Sequence, residues 1–297
     1  NTLTPFKNLN INAGINYVQG TTTTDNTLST VRSAMLGSQL PYTSFTDDNG
    51  NPSPIAYGYS SLYTENIQDR GFLDWKFYPL EELNNGYNQT SNQQKDIRIW
   101  TGVDYTFFKG LKGSVKYQYQ KGITNQRNLA EQESYFTRNL INRYSTLDAS
   151  GDVNGYNIPL GAILTRGNGY STANNIRGQL DYVNSWQDHA INAIAGIEAR
   201  EIVTESENFM FYGYNDATAT FGNVNTTSNF PVNPAGTGTI GAGLGAGGTL
   251  DRFRSFYANA AYTFKDRYTL TGSARIDQSN LFGVRTNQKS VPLWHAQ

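Results

Sequence analysis

The sequence predicts an all-β fold of one kind, a transmembrane antiparallel β-barrel, of which it supplies about seven or eight strands joined on one side by long extracellular loops. Three observations carry this. Apolar and polar residues alternate in runs of about ten, the length that crosses a bilayer at a tilt. Tight turns alternate with long connections, the asymmetry of bacterial outer-membrane barrels. Finally, 37% of residues are hydrophobic and mean hydropathy is −0.55, yet 13% are aromatic. That combination rules out a spanning helix and suits a wall that hides its apolar band in alternation between aromatic girdles. The competing soluble reading is a β-sandwich or lectin-like domain, which also alternates.

Taken in order, Leu9, Ile11, Ala13, Ile15 and Tyr17 alternate with Asn8, Asn10, Asn12, Gly14 and Asn16. Residues 20 to 95 form a long connection with a helical stretch around Leu28 to Gln39. The clearest hairpin runs from Ile97 to Tyr119. One side of its first strand carries Ile97, Ile99, Thr101, Val103, Tyr105 and Phe107, opposite Asp96, Arg98, Trp100, Gly102, Asp104 and Thr106. Past the turn Phe108-Lys109-Gly110, Leu111, Val115, Tyr117 and Tyr119 oppose Lys112, Ser114, Lys116, Gln118 and Gln120.

A second connection, 122 to 173, leads to Ile176, Gly178, Leu180 and Tyr182, then the turn Ser185 to Asp188, then Ile191, Ala193, Ala195, Ile197 and Ala199. The third connection, 205 to 252, is glycine-rich from Ala235 to Gly248 and reads as flexible. Phe256, Ala258, Ala260, Tyr262 and Phe264 then turn through Lys265-Asp266-Arg267 into Tyr268, Leu270, Gly272, Ala274 and Ile276. After a connection over 279 to 287, Lys289 to Gln297 begins an eighth strand.

Chemistry-bearing motifs are sparse. The chain has no cysteine and a net charge of −1, so neither a disulfide framework nor a nucleic-acid-binding face is expected. Asn1 opens on polar sequence without the basic start and apolar core of an export signal. Gly236-Thr237-Gly238-Thr239-Ile240-Gly241 fits a dinucleotide fingerprint in letters but lacks a flanking βαβ unit, and reads as surface loop. Asp47 to Asn51 and Asp148 to Gly155 are acidic turns without the glutamate an EF-hand needs. Turn chemistry is their main reading and a loop calcium ion the alternative, so no cofactor is expected. His189 and His295 are too few for a metal cluster, and Glu81 and Glu82 lie in a loop without a positioned partner. The reading is non-enzymatic.

Two sets of candidate site residues remain. Alternation directs Arg98, Asp104, Lys112, Lys116, Arg177, Asp181, Glu198, Arg200, Arg275 and Asp277 toward the lumen, where they form a solvated charge ladder or contact substrate and plug. Tyr57, Tyr59 and Tyr63 in the first long loop, and Phe211, Tyr212 and Tyr214 in the third, are candidates for stacking on sugar faces or packing against a lid protein; an aromatic belt or loop-core packing is their main reading.

The block from Ser255 to Gly283 resembles a barrel hairpin of the SusC/RagA-type TonB-dependent transporters of Bacteroidetes, in which a strand ending in Arg275-Ile276-Asp277 runs into a serine-containing loop closing on Phe282-Gly283. Leu140-Ile141-Asn142-Arg143-Tyr144-Ser145 and His189 to Glu198 are also similar to that family. The resemblance implies a barrel of about 22 strands with an N-terminal plug, located in the bacterial outer membrane and energised by TonB. It implies import of nutrient oligomers, glycan or peptide, beneath a SusD-like surface lipoprotein. On this reading residues 1–297 are part of the barrel domain, and the plug, the TonB-contacting segment and the C-terminal strands lie outside them. Two alternatives reuse the same wall: a structural subunit of an outer-membrane assembly or secretion complex, and a passive porin or adhesin barrel.

Overall fold

The computed structural model describes residues 2–37, 43–280 and 290–296. Its strands are β1 (Thr2–Phe6), β2 (Leu9–Asp25), β3 (Asn88–Phe108), β4 (Leu111–Ala130), β5 (Ser145–Leu147), β6 (Val153–Tyr156), β7 (Ala162–Trp186), β8 (His189–Asn215), β9 (Thr220–Gly222), β10 (Asn229–Pro231), β11 (Thr237–Thr239), β12 (Gly245–Phe264), β13 (Tyr268–Ser279) and β14 (Ser290–Ala296). The helices are α1 (Thr27–Gly37), α2 (Ser61–Thr64), α3 (Pro79–Asn85) and α4 (Tyr135–Arg143). One antiparallel sheet runs in the order β1-β2-β3-β4-β7-β8-β12-β13-β14, with β9 attached to β8. Every expected strand is present, the eighth as β14, and β1 is an addition.

The wall strands are about twice as long as their alternation suggests. β8 has 27 residues and β7 has 25, against about ten needed to cross a bilayer. The physical reason is visible in the register. Above the apolar run, the same outward side carries Gln19, Lys95, Lys121, Asn174, Glu201, Arg254 and Gln278. There both faces of each strand meet water, so alternation vanishes from the sequence while backbone pairing continues.

The top of the apolar band steps regularly around the wall. Tyr17 on β2 pairs with Ile97 on β3, level with it. On β4 the band ends at Tyr119, opposite Ile99, two residues lower. On β7 it ends at Ile176, opposite Tyr117, lower by two again. Ala199 on β8 is level with Ile176. Phe256 on β12 pairs with Ile197, a further two residues down, and Ile276 on β13 is level with Phe256. The mean drop is one residue per strand pair. About 3.4 Å along the chain for about 4.8 Å across the sheet is a tilt of about 35°, which lies in the range of membrane barrels.

Turns at the lower end are short. Gly110 closes the β3–β4 turn at φ 96°, and a Cβ there would strike the Val183 carbonyl, so only glycine fits. Lys265 and Asp266 both take the left-handed conformation, the geometry that matches strand twist in a hairpin turn.

Burial is inverted relative to a soluble protein. Ile15, Ile99, Val103, Val115, Ile176, Leu180, Ile197 and Leu270, all on the outward face of the wall, are exposed. Such a continuous apolar surface far exceeds what water-soluble monomers present. The buried core lies instead in the connections, which shrink to residues 26–87, 131–161 and 216–244, and at the upper ends of β4, β7 and β8 beside them. α1 covers the expected helix as far as Gly37; Ser38 and Gln39 lie outside the described residues.

The described parts of these connections are an ordered cap, not the structureless loops the sequence suggests. Trp75, Phe77, Ile141, Ile158 and Ile240 are fully buried in two clusters there. The glycine-rich stretch is also ordered: Thr237–Thr239 pairs with Asn229–Pro231, Ile240 plugs a core, and Gly245 to Gly248 extend β12. In Gly236 to Gly241 the strand is the glycine segment itself, which leaves no phosphate-binding turn between strand and helix.

Candidate functional site

All ten charged residues expected on one side of the wall do share one face. The register aligns Lys112 with Asp181, and Lys116 with Arg177, then Glu198, Ser255 and Asp277; Arg200 is level with Asn175, and Arg275 with Tyr257. Lys112 pairs with Asp104 at 3.3 Å, and Asn12 donates to the same carboxylate at 3.3 Å. Arg177 donates to the Tyr257 hydroxyl at 2.7 Å and to Gln179 at 2.8 Å, with its guanidinium 5.1 Å from the Tyr257 ring centre. Gln179 passes the chain on to Asp181 at 2.7 Å, and Asn175 donates to Glu198 at 3.2 Å. The Arg275 Nε–H is shared between both Asp277 carboxylate oxygens, at 2.8 and 2.9 Å. A concavity of about 440 Å³ lies on this face, lined by Asn12, Trp100, Asp104, Lys116, Arg177 and Glu198. The ladder presents both signs of charge on one face of the wall.

Two aromatic rings lie over glycines across this face. Trp100 covers Gly14 and Tyr257 covers Gly196, each with its register partner. A Cβ on Gly196 would sit 2.4 Å from the Tyr257 ring and hydroxyl. Gly196→Ala is therefore expected to turn Tyr257 away and break its bond with Arg177, at a cost of about 1–3 kcal/mol. The check is the tyrosine and tryptophan near-ultraviolet signal together with the denaturant midpoint of the refolded protein.

The loop aromatics divide between the core of the first connection and the wall. Tyr57, Tyr59 and Tyr63 pack around the buried Trp75 and Phe77, with ring centres 4.8 Å apart for Tyr59 and Trp75 and 5.3 Å for Tyr57 and Phe77. Burial pushes the Tyr59 and Tyr63 hydroxyls above the usual tyrosine range. Tyr57, Tyr59, Trp75, Glu65 and Lys76 line a cavity of about 270 Å³. Phe211, Tyr212 and Tyr214 are not in a loop; they sit on the upper end of β8, because that strand continues far above the band. Tyr212 is buried and donates to the Gly241 carbonyl at 2.6 Å, while Phe211 packs at a tilt against Phe221 with ring centres 4.8 Å apart. For Tyr212 the geometry is that of core packing.

α4 fastens the cap, and sequence reading missed it. Ser134 caps its N-terminus. Asn142, fully buried, pairs both ways with the Leu73 backbone at 2.8 and 2.9 Å. Asn139 accepts from the Trp75 indole at 2.9 Å, and the Asn233 amide reaches the carbonyls of Asn142 and Ser145. All three connections therefore meet on one helix. The segment Leu140 to Ser145 could have pointed here, since its amphipathic spacing is helical.

Glu82 is not the unpartnered loop carboxylate expected. It sits on α3, 3% exposed, accepts from the Tyr135 N–H at the start of α4, and lies 3.6 Å from Arg138. Burial outweighs these partners and pushes its pKa up to about 7. A carboxyl raised in the folded state contributes stability that is full below its unfolded value and is lost as pH rises through the folded one. From pH 4.5 to above 7 the cap is thus expected to lose about 3 kcal/mol. Protease sensitivity of residues 26–87 should rise over that window, and Glu82→Gln should flatten the profile. The acidic turns use their own chain: Asp47 accepts from the amides of Asn49 and Asn51, and Asp148 from those of Ser150 and Asp152.

A tilted wall of long antiparallel strands, apolar and exposed on one side and laddered with charge on the other, defines a section of an outer-membrane-type β-barrel. More particularly, the fold is that of part of a RagA-type TonB-dependent transporter barrel. The chain matches the structure of the RagAB peptide transporter with a TM-score of 0.66 over 99% of its length, at 12% identity. It matches the RagAB peptide importer in the "closed-closed" and "open-open" states with TM-scores of 0.65 and 0.63, at 13% identity, over 99% and 98% of its length. It spans 28% of the length of each of those chains. No family model and no curated protein sequence matches the chain.

Proposed function

We propose that this chain is a section of barrel wall and extracellular cap of an outer-membrane, TonB-dependent importer of nutrient oligomers. The observation that carries the reading is the match itself, which extends over 99% of the chain and so takes in the cap as well as the strands. In this reading the protein is non-enzymatic and the ten charged residues line the lumen. Tyr57 and Tyr59, at the cap cavity, are the loop aromatics placed to meet a substrate, and a SusD-like lipoprotein sits over the cap. The plug and the TonB-contacting segment belong to the rest of the protein. Peptide is the preferred oligomer, because the ladder offers both signs of charge within one concavity and the matched transporter carries peptides.

The test is uptake of labelled oligopeptides and oligosaccharides by cells producing the full-length protein, with and without a protonophore. Peptide uptake abolished by the protonophore is expected. Uptake that persists in de-energised cells would make the barrel a passive porin. Absence of uptake with stable co-purification of assembly machinery would make it a structural subunit.

A further inference from the structure

The outward face just above the apolar band carries more than a solvated rim. The first outward residues above the band include Lys95, Lys121 and Arg254, and none has a carboxylate within ion-pair distance among the described residues. Arg252 lies two residues above Arg254 on the same side of β12 and pairs with Glu201 at 2.7 Å. Two guanidinium groups at that spacing, about 7 Å apart along the strand, repel each other unless an anion sits between them, and Glu201 neutralises only one.

A groove of about 730 Å³ opens beside these arginines. Tyr117, Asn174, Ile176 and Ala199 line it with Arg252 and Arg254. Below it, past the outward row of Ile197 and Phe256, lies a second groove of about 600 Å³ within the apolar band, lined by Leu180, Tyr182, Ala195, Ala258 and Trp294. A polar-edged site carrying two arginines thus stands above an apolar one on the exposed apolar face of the wall.

We propose that these stacked grooves hold a lipid of the outer leaflet that bears a phosphorylated headgroup, with phosphate at Arg252 and Arg254 and an acyl chain in the lower groove. The proposal rests on the membrane-barrel reading above. Charge complementarity selects an anionic headgroup over a zwitterionic one, and guanidinium favours the bidentate geometry of phosphate. Continuity with the lipid-facing band selects a lipid over free phosphate. Basic residues at a membrane surface attract anionic lipid in this way.

The experiment is native mass spectrometry of the full-length protein, extracted in mild detergent and exposed to phosphorylated lipid, to the same lipid after phosphatase treatment, to a zwitterionic phospholipid, and to inorganic phosphate. Retention of the phosphorylated lipid alone is expected, reduced at least tenfold in Arg252→Gln/Arg254→Gln and partly restored in Arg252→Lys/Arg254→Lys, which keeps the charge but not the bidentate geometry. Equal retention of dephosphorylated or zwitterionic lipid, or undiminished retention by the glutamine variant, would overturn the proposal. Binding of inorganic phosphate that displaces no lipid would make the site a free-anion site and overturn it as well. Heat-modifiable migration of each variant on electrophoresis checks that the barrel is folded. A protein monodisperse without detergent would instead refute the membrane reading on which the proposal stands.

Discussion

Arg138→Ala is expected to loosen the whole cap while leaving the wall intact. Arg138 is mostly buried and its guanidinium serves three segments at once. It donates to the Asp74 carbonyl at 2.6 Å and the Glu133 carbonyl at 2.9 Å, and faces the Glu82 carboxylate at 3.6 Å. Removing it strands the buried Glu82 carboxylate and takes a donor from the Asp74 and Glu133 carbonyls. Breaking one partner of such a pair costs about 3–5 kcal/mol, far more than the exposed Arg252–Glu201 pair is worth. The cost should be largest above pH 7, where Glu82 is ionised, and shrink toward pH 5. Glu82→Gln should recover part of it, since a neutral amide needs no cation. Hydrogen exchange on the full-length protein separates the outcomes: amides of 26–87 and 131–161 should lose protection while those of β3, β4, β7 and β8 keep it. A uniform loss would mean that cap and wall unfold as one unit.

The contrast between wall and cap also explains how much was legible beforehand. Strands such as Leu9 to Tyr17 and Ile191 to Ala199 announce themselves because one side must be apolar for lipid and the other polar for water. That constraint prints a period of two on the sequence. The ten charged residues were assigned to a common face for the same reason, and the register agrees. Above Tyr119 and Ala199 no such constraint acts, so the upper halves of β4 and β8 read as loop.

The cap was illegible for a different reason. Its core residues are far apart in sequence: Trp75 joins Tyr135 in one cluster, and Ile141 and Ile158 join Ile240 in another, only after the wall has brought the three connections together. Glu82 and Asn142 looked like ordinary polar loop residues because their partners, at Tyr135 and Leu73, lie more than fifty positions away. Phe211, Tyr212 and Tyr214 were read as loop aromatics for want of any sign that β8 continues to Asn215.

Which side of the wall meets lipid can be decided by placing one charge at matched positions. Ala195 and Ala258 are register partners in the middle of the outward apolar band, and neither side chain has a hydrogen bond to lose. Ala195→Arg or Ala258→Arg is expected to cost about 2–4 kcal/mol, the penalty for an arginine near the bilayer midplane. Thr172 points to the same side but stands above the band, level with Lys121. Thr172→Arg is therefore expected to cost about 1 kcal/mol or less. Ser114 is at membrane height on the opposite, charged face, level with Asp104 and Gln179; there an added arginine gains a carboxylate neighbour and costs little. Folding of the full-length protein into lipid vesicles, followed by urea titration, reads all four. A penalty confined to Ala195 and Ala258 fixes the outward face as lipid-facing and the charged ladder as luminal. A penalty at Ser114 with none at Ala195 would turn the wall inside out, and with it the assignment of Arg98, Lys116, Arg177 and Glu198 to the transport path.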